Sequence, residues 1–312
     1  MAFFDGRGGP PARGGGNTHE FYASMGKKIQ ADDIQLTIQG QTISSKYGTD
    51  DSCQYNLEQL LSSGIQNQVF NSERNALSEE DRGTMDQLAI DSHQAYQNFK
   101  ARPEFIPYLE EMTTLKFYAK ANIGSRPSKR GGSKKLDFTD LRAIPFVGSW
   151  SQSKQNVPGF YGVGTALKSF EERKQFKKVT QLYQQSSFFR TLIANSMMSL
   201  TKSFFALTAY MQNDKRFGDF WNLIHNEFLL SKDMILKLTG FDELMENETA
   251  GKASIKVREE IVQPLLTIQQ SALMTLLDAN KSGDMSEKTM ELYEKMVTRS
   301  MFGNINASRN SA

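Results

Sequence analysis

Cysteine is almost missing from this chain of 312 residues, where Cys53 stands alone. A disulfide framework and a thiolate metal site are excluded, and the usage fits a reducing cytoplasm. Histidine is scarce too: His19, His93 and His225 show no metal-ligand spacing; His93 and His225 read as packed or half-exposed helix residues, and His19 as a first-turn residue that orients the loop before it. Neither sign of charge prevails, with 37 Lys and Arg against 35 Asp and Glu. No global field therefore draws the chain to nucleic acid or to a membrane. No basic-then-apolar secretory segment opens it. Its longest weakly charged run, 191–213, is interrupted by Asn195, Ser196, Thr201, Lys202 and Gln212. That run reads as a buried helix and not as a membrane span. A P-loop, a dinucleotide fingerprint and a nucleophile elbow are absent from the sequence.

What the chain does have is glycine beside arginine, near its start. Asp5-Gly6-Arg7-Gly8-Gly9 is followed by Arg13-Gly14-Gly15-Gly16. Glycine lets backbone approach a ligand closely, and arginine supplies a permanent forked cation suited to carboxylate or phosphate. The pair reads as an ordered loop closing on an anion. Arg-Gly-Gly repeats also mark RNA-binding segments, but two repeats make no extended tract. A second basic stretch, 124–142, holds Arg126, Lys129, Arg130, Lys134, Lys135 and Arg142 against Asp137 and Asp140. It reads either as a solvated surface loop or as a mobile lid beside an apolar strand at 143–150.

Between these loops the pattern is mixed. A helix is expected over about 19–25 after the caps Asn17 and Thr18, and a strand pair or bulged strand over 34–44. Helical spacing covers 56–70, and Ser78-Glu79-Glu80-Asp81 resembles a capping box before a helix to about Phe99. From Thr165 onward the pattern is helical, with breaks expected near Gly218, Gly240, Pro264 and Gly283. Two cations stand oddly in that half. Lys202 is the only charge between Arg190 and Asp214 and has Met198, Phe205 and Ala206 at helical spacing. Arg258 shares a helical face with Ile261, Val262 and Leu265. Each is either a snorkelling or paired structural residue, or a cation placed for an anion.

Several runs in the order found here resemble phosphoenolpyruvate carboxylase, specifically its C-terminal third. They are Phe4-Asp5-Gly6-Arg7-Gly8-Gly9 with Arg13-Gly14-Gly15, Gly124-Ser125-Arg126-Pro127-Ser128-Lys129-Arg130, Leu141-Arg142-Ala143-Ile144-Pro145-Phe146, Trp150-Ser151-Gln152, Tyr161-Gly162-Val163-Gly164-Thr165-Ala166-Leu167 and the closing Arg309-Asn310. The resemblance implies a mainly α chain with a few strands, the C-terminal part of a (β/α)8 barrel with many added helices. Residues 1–168 would be barrel-derived strands and active-site loops with intervening helices, and 169–312 a helical region carrying an inhibitor site. Active sites of such barrels lie at the C-terminal strand ends. The implied reaction joins bicarbonate to phosphoenolpyruvate, giving oxaloacetate and phosphate, with Mg2+ or Mn2+.

The same resemblance assigns Arg7, Arg13, Arg126 and Arg142 to catalysis, with Asp5 at the family's histidine position. It assigns Arg13, Lys202, Arg258 and Asn310 to an inhibitor site for L-aspartate or malate. The family's Thr-Ala-His-Pro-Thr and Tyr-Ser-Asp-Ser-x-Lys-Asp motifs, which carry the catalytic histidine and metal carboxylates, do not occur in this sequence. The chain thus reads as beginning partway through a barrel and as inactive in isolation. A cytoplasmic homo-oligomer, tetrameric in the full enzyme, is the implied assembly, with neither nucleic acid nor membrane as partner. Two readings stand beside it: a non-catalytic module that senses an acidic metabolite, and an RNA-binding Arg-Gly-Gly protein.

Overall fold

The computed structural model describes residues 18–25, 35–36, 38, 41–70, 77–120 and 138–308. Twelve α-helices occupy most of them, and no β-strand occurs among the described residues. In order these are α1 (Thr18–Ala23), α2 (Gln41–Tyr47), α3 (Asp50–Ile65), α4 (Glu79–Lys100), α5 (Phe105–Met112), α6 (Ala143–Gln152), α7 (Val163–Glu172), α8 (Phe176–Gln185), α9 (Ser187–Thr201), α10 (Gly218–Thr239), α11 (Thr249–Ser282) and α12 (Glu287–Ser308). A π-helical turn, Gln66–Phe70, extends α3, and 3-10 turns occupy Leu115–Lys120 and Phe205–Asn213. The glycine-arginine loop near the start and most of the expected strand at 34–40 lie outside the described residues.

Two expected strands are helices instead. Residues 41–44, taken with a strand, open α2, and 143–150 lie within α6. Short apolar runs do not separate a strand from a buried helix by periodicity alone. Of the buried α6 positions Pro145, Gly148, Ser149, Trp150 and Gln152, all but Trp150 follow i, i+3, i+4 and i+7, which is one helical face. Pro145 falls in the first turn, where no N–H needs an intrahelical acceptor. The break expected near Pro264 is also absent: α11 runs through it to Gly283, which caps the helix at φ +73°. Buried Val262 and Leu266 on either side keep that segment packed.

The chain divides into two compact units. The first takes its described residues from Met1–Tyr96, Gly159–Leu200 and Glu227–Glu246. Here Ser78 caps α4: its hydroxyl accepts from the Asp81 N–H (3.1 Å) and donates to the Asp81 carboxylate (2.6 Å). The start of α7 is closed by a side chain from α10. Glu227, 7% exposed, accepts from the backbone N–H of Gly162 (3.0 Å) and Thr165 (3.1 Å) and from the Thr165 hydroxyl (2.6 Å). Gly164 lets α7 lie against α10, since a Cβ there would stand 2.4 Å from the Ser231 nitrogen.

The second unit comprises the described residues of Gln97–Pro158, Thr201–Asn226 and Asn247–Ala312. Its core is aromatic. Phe99 stacks on Phe220 (5.1 Å) and Tyr108 on Trp150 (6.0 Å), with Phe105 edge-on to Phe99. α11 and α12, joined by four residues, pack as a helical hairpin through Leu273, Leu276, Val297, Met301 and Ile305. A buried amide knot fixes the end of α6 to both: Gln152 Oε1 accepts from Gln269 Nε2 and Asn304 Nδ2, each at 2.9 Å.

Candidate functional site: a cationic cavity

Two short turns of the second unit build the site. After α6, Lys154 and Asn156 take φ of +54° and +44°. The left-handed region costs a non-glycine residue on the order of 1 kcal/mol or more. Cross-links to the turn that follows α9 hold it. The Phe204 N–H donates to the Lys154 carbonyl (2.8 Å). Asn156 Nδ2 donates to the Ser203 hydroxyl (3.3 Å), which donates in turn to the Gln155 carbonyl (3.3 Å). From beneath, buried Gln155 Nε2 donates to the Tyr108 hydroxyl (2.8 Å) and the Thr208 hydroxyl (3.2 Å). The result sets Lys154 and Lys202 on one wall of a cavity of about 210 Å3.

α11 supplies the facing wall. Glu259, Gln263 and Leu266 recur at i, i+4 and i+7, so one helical face lines the space. Phe204, Leu207 and Leu266 make its apolar part. Lys154 Nζ lies 2.5 Å from Glu259 Oε2, with side chains 9% and 30% exposed. Burial lowers the Lys154 pKa, and the Glu259 charge acts against that. Lys202 has no hydrogen bond or ion pair among the described residues. Burial, then the like charges of Lys154 and Arg258, bring its pKa down to about 8, with only Glu259 opposing. Among the described lining residues, Lys154 and Lys202 thus share the cavity with one carboxylate, that of Glu259. A half-buried ammonium without an ion pair among the described residues suits an anion there.

Lys202 does not sit on a helical face as its spacing implied. α9 ends at Thr201, and Lys202 occupies the turn beyond it. Its apolar neighbours come from the cavity instead. A cation just past a helix C-terminus also meets the negative end of the helix dipole. Arg258, on α11, is half-buried and does not line the cavity, although its charge acts on Lys202. Sequence reasoning missed Lys154 and Glu259. The Glu259, Gln263, Leu266 spacing was a usable signal for the latter, whereas nothing in Ser153-Lys154-Gln155-Asn156 announces left-handed backbone.

Arg142 does not line this cavity. It is the N-cap residue of α6, with extended backbone (φ −97°, ψ 145°). Its Nε is buried and without a hydrogen-bond partner among the described residues. A guanidinium donor beside the free N–H groups of a helix start is an electropositive corner that suits an anion. α6 therefore carries Arg142 at its first turn and, two residues beyond its last, Lys154. Asp5, Arg7, Arg13, Arg126 and Asn310 lie outside the described residues. His225 is packed, with its ring 4.9 Å from those of Phe205 and Trp221. Among the described residues no three His, Cys, Asp or Glu side chains could hold a metal ion. No helix among them is long and apolar enough to cross a membrane.

A family model described as phosphoenolpyruvate carboxylase matches residues 1–308. Curated relatives include the phosphoenolpyruvate carboxylases of Prochlorococcus marinus strains MIT 9215, MIT 9312 and MIT 9301. Each is 32% identical over 297 residues, which is 92% of this chain and 30% of the relative. The chain belongs to the phosphoenolpyruvate carboxylase family, and it spans about 30% of the length of these relatives.

Proposed function

We propose that this chain is the C-terminal portion of a phosphoenolpyruvate carboxylase, a lyase that carboxylates phosphoenolpyruvate with bicarbonate to oxaloacetate and phosphate, and that its cationic cavity is a regulatory site for a small dicarboxylate such as L-aspartate or malate. The observation that carries the regulatory reading is Lys202, a half-buried lysine on the cavity wall beside Lys154, with no hydrogen bond or ion pair among the described residues. Arg13 and Asn310 would complete the site, as the family resemblance implies. The barrel of the fold class belongs to this reading as well.

In the catalytic part, Arg142 holds its unpartnered Nε at the start of α6. Substrate and intermediates of this reaction are anionic, so a fixed donor there stabilises charge as it develops. Arg7 and Arg126 would act likewise, and Asp5 stands where the family has histidine. Among the described residues no cluster of His, Cys, Asp or Glu side chains fits the divalent metal of the family. Arg13 would serve the active site when the cavity is empty and the inhibitor when it is filled. That is differential binding to two states, as allosteric coupling requires.

A thermal-shift titration tests the cavity. L-aspartate or L-malate is expected to raise the melting temperature of the chain progressively, because a ligand that binds only the folded state stabilises it by mass action. Arg258→Ala is expected to remove the rise. A rise that Arg258→Ala leaves intact contradicts the assignment. The second reading, a metabolite-sensing module without catalysis, has one observation in its favour: the described part of the cavity lies within a single compact unit. Binding without any contribution to carboxylation when combined with the rest of the enzyme would select it.

A further inference from the structure

The cavity holds more than cations. Glu259 gives Oε2 to Lys154, and its other oxygen has no partner among the described residues. Gln263, one turn further along α11 and on the same wall, has an amide equally without a partner there. A site meant only for a dicarboxylate gains nothing from a carboxylate in its wall, since that charge repels the ligand. The pair with Lys154 accounts for one oxygen only. Lys154 is itself fixed by its strained backbone and its link to Phe204, so Glu259 cannot leave the cavity without stranding a buried ammonium. The lining is therefore of two signs: a donor ammonium at Lys202 and an acceptor carboxylate at Glu259.

We propose that Glu259 makes this cavity selective for carboxylates that also carry an ammonium group, so that an amino dicarboxylate is preferred to a hydroxy or unsubstituted dicarboxylate of the same length. The inference rests on the reading of the cavity as a dicarboxylate site and goes on to name its specificity residue. A ligand carboxylate pairs with Lys202, and the positive charge of Arg258, which acts on Lys202 from outside the lining, favours the same anion. The ligand's ammonium donates to the spare oxygen of Glu259, with the Gln263 carbonyl oxygen as a second acceptor. A hydroxyl in the same place donates one weaker hydrogen bond and cannot balance the Glu259 charge. Discrimination by a buried polar partner exceeds what shape alone supplies, because the wrong ligand leaves that partner unpaired.

The test is calorimetric titration of the whole 312-residue chain with L-aspartate, L-malate and succinate. Wild type is expected to prefer L-aspartate by roughly tenfold, the factor that one charge-assisted contact supplies. In Glu259→Gln that preference falls to about one, as L-aspartate weakens and the other two strengthen. Should the single variant unfold by stranding Lys154, the double variant Lys154→Gln/Glu259→Gln removes both charges together and is expected to lose the preference too. Glu259→Asp, which keeps the charge, retains part of it. A wild type that does not prefer L-aspartate, or a preference unmoved in the charge-removing variants, overturns the selector and leaves the anion cavity standing. A wild type that binds none of the three overturns the cavity reading and the selector together.

Discussion

At the residue scale, the account turns on Lys202. Its pKa of about 8 lies below the ordinary 10.5 because the folded chain buries it beside Lys154 and Arg258, with Glu259 as the only opposing charge. Between those two values the unfolded chain binds more protons than the folded one, so this group's contribution makes stability rise with pH across that window. Below about 8 its destabilising effect is present in full. An anion needs the charged form, so dicarboxylate affinity is expected to fall as pH rises through about 8, by up to roughly tenfold per unit. Lys202→Arg, which stays charged, is expected to flatten the profile. Calorimetry from neutral to alkaline pH reads both, and a flat wild-type profile contradicts the placement. Lys202 and Arg258 stood out in the sequence as charges among apolar residues, and the structure sets Lys202 in the cavity wall rather than on the helical face its spacing implied. Lys154 did not stand out, since a lysine between Ser153 and Gln155 looks like any polar turn until its left-handed backbone is seen.

At the element scale, the two helices that matter were read differently. α4 was legible from Ser78 and Asp81, and the structure shows that cap. α6 was mistaken for a strand because an apolar run of eight residues carries no period of its own when Gly148 and Ser149 are buried as well. Its first-turn proline was the available sign. The cap on α7 could not be read at all, since Glu227 lies 65 residues from the Gly162 N–H it accepts. Glu227→Ala leaves those buried donors unpaired and is expected to destabilise the chain by about 2 kcal/mol. Urea unfolding measures it, and a loss no larger than that of an exposed glutamate would refute the role. Gly164→Ala is expected to cost about 1–3 kcal/mol by pushing α7 off the Ser231 backbone. A melting temperature equal to wild type would show that the two helices can part freely.

At the scale of the whole molecule, the family was legible from motif order, and the family match over 1–308 agrees with it. The helical bulk of the chain was legible too, whereas the division into two compact units follows from long-range contacts that no local pattern records. The chain covers about 30% of its curated relatives, and it lacks the motifs that the resemblance ties to the catalytic histidine and the metal. A coupled assay for oxaloacetate on the isolated chain is expected to read background, and turnover near that of a full-length relative would contradict this. The central claim is the cationic cavity, and a crystal structure of the chain grown with saturating L-aspartate tests it most directly. Difference density for one dicarboxylate against Lys202 and Glu259 is the expected result. Density at another site, with this cavity holding only solvent, would contradict it.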